Sequence, residues 1–358
     1  MYVPVSEVVT YTLFPTRPQR REELTICNVL FCLLVMWIHI LSEAVDGYDR
    51  SSVLYFLTVG SWRLSSFVVQ GFFFLSGVKL FLGRKKTTVL SYYGKRLRRV
   101  VLPYVLAFCL FTVYFVATGA VTLTPRAFFT DLVTGRLCGH FYYVILMVQF
   151  DLLYPLWKKL VQKTDPILGC LTALLLMVLC KLYLPGVITM VTGEPFADNG
   201  LLFTSYLFYY IAGAYCGRSY DRFRGFLDQH RRSIVTTWCL LGGINWVFIW
   251  LNGTGQYYAP WLEVFHILYC LYAILGCLSL AYLWREKPLF RQKWFCQVDR
   301  YSYQIYLLHP LLLFFCNHGC NAVGIPSLTL RLLVRIAVVA VAICVLGKLP
   351  ARKRKKRT

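Results

Sequence analysis

The chain has 358 residues, of which 58% are hydrophobic and only 15% charged. With a mean hydropathy of +0.57, it is too apolar for a water-soluble globule, which carries about 25% charged residues. A net charge of +22 does not point to nucleic acid, because the cations form short clusters between long apolar runs.

Residues 1–25 place Arg17, Arg20 and Arg21 just ahead of the first apolar run, the order of a cytoplasmic tail and not of a cleavable signal peptide. Apolar runs long enough to cross a bilayer follow at roughly 26–43, 64–82, 100–120, 139–157, 166–187, 200–217, 233–251, 263–284, 301–317 and 329–349. Backbone groups in lipid need internal partners, and no alternating barrel pattern occurs. The expected fold is therefore an all-α integral membrane bundle of about ten transmembrane helices.

The loops alternate in charge. One set holds Arg84, Lys85, Lys86, Lys95 to Arg99, Lys158, Lys159, Lys163, Arg218 to Arg232, Arg285 to Arg300 and the tail 350–358. The other set holds Asp46, Asp49, Asp131, Glu194 and Asp198, with few cations. The positive-inside rule then predicts cytoplasmic N and C termini, and the basic tail is suited to anionic headgroups. Most of the fourteen cysteines lie in apolar runs, where they act as small hydrophobes. No CxxC pair exists, so no metal site is expected. Cys316 and Cys320 are four apart, which is poor disulfide geometry on a helix.

Ionisable groups inside spans mark candidate sites, because burying them in lipid is costly. His39 lies in VMWIHILSE, with Glu43 one turn later on the same helix face. A carboxylate there can orient the ring as a general base requires. Arg63 and His140 open the second and fourth spans at the same outer level, where they are candidates for substrate binding. Gln149 and Asp151 sit deeper, as a pocket wall or as one half of a structural ion pair. His309 is mid-span before Pro310, which frees a carbonyl. Ser76 and Gly77 allow close helix approach ahead of the cationic exit at Lys79. Arg96 and Arg99, three apart, present two guanidinium forks suited to phosphate.

Five blocks together resemble the acyltransferase 3 family of multi-pass membrane O-acyltransferases. They are NVLFCLLVMWIHI, WRLSSFVVQGFFFLSGVKLF, KRLRRVVLPY, GHFYYVILMVQFDLLYPLW and YSYQIYLLHP. The resemblance implies a membrane acyltransferase domain over 26–349, in the cell (plasma or inner) membrane. It implies transfer of an acyl group, most often acetyl, from acyl-CoA to a hydroxyl of an extracytoplasmic carbohydrate or envelope molecule. Acyl-CoA would be a co-substrate and not a resident cofactor, with no nucleic-acid partner. His39 would be catalytic, assisted by Glu43. The resemblance implies that Arg96 and Arg99 are required; from their own positions, Arg63, His140, Asp151 and His309 would contact substrate, and Lys79 and Arg84 would join Arg96 and Arg99 in holding acyl-CoA. Many members carry an arginine eleven residues before the histidine, where this chain has Asn28. The alternative function is a transporter or exporter of an envelope glycan or lipid-linked sugar, since a fold does not fix a function.

Overall fold

The computed structural model describes residues 21–82, 88–193, 196 and 199–348, and among these it is helical with no strand. The helices are α1 Glu22–Gly47, α2 Val53–Ser65, α3 Val68–Leu82, α4 Val89–Arg96, α5 Leu102–Ala117, α6 Pro125–Thr134, α7 Tyr142–Leu152 and α8 Tyr154–Lys163. They continue as α9 Pro166–Thr192, α10 Leu207–Arg218, α11 Tyr220–Gln229, α12 Arg231–Thr254, α13 Leu262–Trp284, α14 Lys293–Ala322 and α15 Leu328–Lys348. A π-helical stretch, Leu97–Val101, joins α4 to α5.

Seven helical segments among the described residues are long and apolar enough to cross a membrane: α1, α2–α3, α4–α5, α9, α12, α13 and α15. The other three expected spans fall on α7, α10 and α14. The first two have only 11 and 12 residues, and α14 is long but rich in Tyr, Gln and His. Boundaries also move. The second expected span, 64–82, is the lower part of a 30-residue segment that begins at Val53 and breaks at Ser66–Phe67. The fourth, 139–157, divides between α7 and the amphipathic α8, because Pro155 starts a new helix.

Small residues determine the tightest packing. The most extensive helix contact is between α3 and α10. A Cβ on Gly77 would overlap the Tyr210 carbonyl oxygen, and Cβ atoms on Gly213 and Gly217 would overlap those of Phe74 and Val78. Gly213 and Gly217 are four apart, so one glycine stripe faces α3 backbone to backbone. The large buried core then stacks around this pair, with Phe31, Phe73, Phe74, Phe108, Phe111 and Phe141 almost fully enclosed. The α1 helix runs beside α2, α3, α13, α14 and α15, so residues along its length reach much of the bundle.

Candidate active site

One face of the bundle collects the cations at the ends of α3, α4 and α8. Here a cavity of about 630 Å³ is bordered by Lys79, Arg96, Arg99 and Lys158, together with Asn28 of α1 and Ser302 of α14. The local sequence explains the shape. Pro103 has no N–H to continue the α-helical ladder, and Leu102 N–H instead reaches back to Leu97 O, five residues away. This wide turn carries Arg98 and Arg99, and Tyr303 O–H from α14 donates to Val100 O at 2.9 Å. Tyr92 stacks on Tyr154 at the cavity edge, with ring centroids 3.9 Å apart.

The two arginines differ in their commitments. Arg96 Nε lies 3.1 Å from Asp151 Oδ1, and Tyr92 O–H donates to the same oxygen at 2.5 Å. Arg99 has no ion-pair or hydrogen-bond partner among the described residues. Arg96 is therefore half neutralised and fixed, whereas Arg99 presents its full charge to the cavity. Asp151 sits near the basic end of α7 and takes the structural-pair alternative. It is placed beside the cavity cations and away from the histidines, because α7 ends at Leu152. Gln149 clasps a neighbouring segment, donating to Leu201 O and accepting from Phe203 N, each at 2.9 Å.

The inner end of the cavity is walled by Phe72, Tyr143 and Tyr306. Behind Tyr306 stand three histidines from three elements. His39 of α1 and His309 of α14 have ring centroids 4.9 Å apart, and His140 lies 5.9 Å from His309. Tyr306 O–H donates to His140 O, and the Tyr306 ring is 6.0 Å from that of His309. Pro310 has the consequence expected of it. It cannot donate to the Tyr306 carbonyl, and His309 Nδ1–H fills that place at 2.8 Å, with Ile305 O at 3.1 Å. The proton is therefore on Nδ1, and His309 Nε2 is a buried lone pair without a hydrogen-bond partner. His140 Nε2–H donates to Leu307 O at 3.1 Å.

Two expected neighbours of His39 lie elsewhere. Glu43 faces α15, where its carboxylate is 2.5 Å from Arg335 Nη2 and 3.3 Å from Arg331 Nη1. Two cations compete better for a carboxylate than a neutral imidazole one turn away. Arg63 is buried and pairs with Glu263 of α13 at 2.9 Å, so it does not join the histidines. Arg84 lies outside the described residues. Asn28 donates to Asp299 Oδ1 and Ser302 Oγ, each at 3.1 Å.

Arg335, Asn245 and His266 escaped the sequence reading, although each is a polar group inside an apolar run, which is the signal applied elsewhere. Arg335 also donates to Asn317 Oδ1 and Ile40 O, so it ties α1, α14 and α15 together. Glu43→Ala is expected to lower stability by about 2 kcal/mol, because it leaves a buried guanidinium without its counterion. Thermal unfolding in detergent measures this. A Glu43→Ala, Arg335→Met double variant should recover part of the loss.

The sequence model of the acyltransferase 3 family, described as "Acyltransferase domain", matches residues 22–347. A Bacillus subtilis protein named as the membrane-bound acyltransferase YfiQ is 22% identical over 300 residues, covering 80% of each chain. A Staphylococcus aureus protein named as a poly-beta-1,6-N-acetyl-D-glucosamine export protein is 25% identical over 313 residues, covering 82% of each. No solved structure matches the chain. A family match across almost the whole membrane bundle, covering both the cation-lined cavity and the histidine cluster, leads to one conclusion: this chain belongs to the acyltransferase 3 family of membrane proteins.

Proposed function

We propose that the protein is a membrane O-acyltransferase that takes an acyl group, most simply acetyl, from acyl-CoA to a hydroxyl of an extracytoplasmic carbohydrate or envelope molecule. The single observation that carries this reading is the junction at Tyr306, which lines the basic cavity on one side and packs on the histidines on the other. In this reading the basic face is cytoplasmic, ten segments cross the membrane, and the protein resides in the cell membrane. Acyl-CoA phosphates meet Arg99, Lys79 and Lys158, and the pantetheine arm runs inward to the wall of Phe72, Tyr143 and Tyr306, which has to part for the thioester to reach His39. His39 lies eleven residues beyond Asn28, about 16 Å further along the helix.

The chemistry follows from the ring positions. His39 removes the proton of the acceptor hydroxyl as its oxygen attacks the thioester carbonyl. The C–O bond forms, the C–S bond breaks, and the proton passes to the departing thiolate. His309, with its free Nε2, accepts a hydrogen bond from the acceptor or from His39. The acceptor class draws support from the relatives named for glycan export, whose name also motivates the second reading, glycan export by this chain itself.

Membranes containing the protein, incubated with labelled acetyl-CoA and envelope glycan, are expected to transfer label to the glycan. Glycan movement without consumption of acetyl-CoA would favour export. Arg99→Ala is expected to raise the KM for acetyl-CoA about tenfold with little change in kcat, because a phosphate contact far from the reacting carbonyl is uniform binding. A fall in kcat at unchanged KM would remove Arg99 from donor binding.

A further inference from the structure

The break between α2 and α3 carries a polar cluster that shares no residue with the donor cavity. Ser66 Oγ at the break lies 2.9 Å from His266 Nε2 of α13. His266 Nδ1 lies 3.0 Å from Asn245 Oδ1 of α12. Asn245 Nδ2 is already committed, donating to Leu241 O at 3.0 Å. The Asn245 oxygen therefore faces His266 and accepts Nδ1–H, which leaves the Nε2 lone pair turned toward the serine hydroxyl. The hydroxyl proton has one other acceptor in reach, Arg63 O at 2.7 Å.

We propose that Ser66 is a second, nucleophilic centre, with His266 as its general base and Asn245 as the residue that positions the imidazole. A nucleophile within hydrogen-bond reach of a base, itself oriented by a third group, is the arrangement that activates a serine. Two further observations point to a ligand. His266 lines a cleft of about 90 Å³ together with Gln70, Lys181, Tyr209 and Glu263, between α3, α9, α10 and α13. Arg63, one turn before Ser66, holds a buried Nε with no hydrogen-bond partner, a donor available to an oxyanion.

The substrate class is an acyl ester or acyl thioester whose carbonyl reaches Ser66 from this cleft, which His266 borders and Ser66 itself does not. Ser66 Oγ bonds to the carbonyl carbon while its proton moves to His266 Nε2. The bond to the leaving alcohol or thiol breaks, and His266 returns the proton to that group. A water or acceptor hydroxyl then attacks the acyl-serine, again giving its proton to His266, and regenerates Ser66. The proposal stands whether or not the donor cavity takes acyl-CoA.

An alkyl fluorophosphonate tests it on the full chain purified in detergent, because the probe needs only a nucleophilic serine: Oγ–P forms and fluoride leaves. Peptide mass spectrometry is expected to find the adduct on Ser66, absent in Ser66→Ala. His266→Gln should slow labelling at least tenfold, and Asn245→Asp, which keeps an oxygen on Nδ1–H, should retain it. A folded wild-type protein with no adduct on Ser66 overturns the proposal without any variant. Labelling slowed less than tenfold in a folded His266→Gln protein overturns the role of the base. Loss of labelling in a folded Asn245→Asp protein overturns the positioning role.

Discussion

His39→Ala is expected to reduce acyl transfer from labelled acetyl-CoA by about 10²- to 10⁴-fold, the usual contribution of a positioned general base. The KM for acetyl-CoA should change little, because His39 does not line the donor cavity, whose walls end at Phe72, Tyr143 and Tyr306. The expected signature is thus a loss confined to kcat. The same measurement on His309→Gln separates the two rings. Their centroids are 4.9 Å apart, so either nitrogen is within reach of one acceptor hydroxyl. Substantial activity in His39→Ala with loss in His309→Gln would transfer the base to His309. Activity in both would remove the cluster from the mechanism.

Gly213→Val is expected to abolish folding, with a cost above about 4 kcal/mol, because its Cβ would overlap the carbonyl oxygen of Phe74 on a facing helix. A flexible side chain could move aside, but the backbone of α3 cannot shift without disturbing Phe73 and Phe74, which are buried in the core. Size-exclusion chromatography in detergent checks this, with an aggregated or absent peak as the expected result. Gly243→Val is the matched control, since nothing lies within 4 Å of a Cβ there. That variant should remain monodisperse. A monodisperse Gly213→Val protein would mean that α3 and α10 are less tightly apposed than the structure has them.

Much of this molecule is legible in one dimension because a bilayer imposes a simple rule. A segment in lipid must be apolar and internally hydrogen-bonded, so length and hydropathy alone locate helices such as α1, α9 and α13. The same rule marks His39, His140 and His309, because a titratable ring in an apolar run is conspicuous. Pro310 announces a freed carbonyl, although not that His309 itself would bond to it. Where apolarity is diluted the reading weakens. Thr58, Gly60 and Ser61 hid the upper part of α2.

By itself, then, the sequence determined an all-helical membrane protein, its family blocks, and which polar residues must justify their burial. Partnership was decided only by the tertiary structure. Glu43 goes to Arg335 and not to His39, Arg63 goes to Glu263, and Asp151 goes to Arg96. Spacing along one helix says which side chains share a face, but a charge pairs with the strongest opposite charge that packing brings near, and for these three residues that partner comes from another helix.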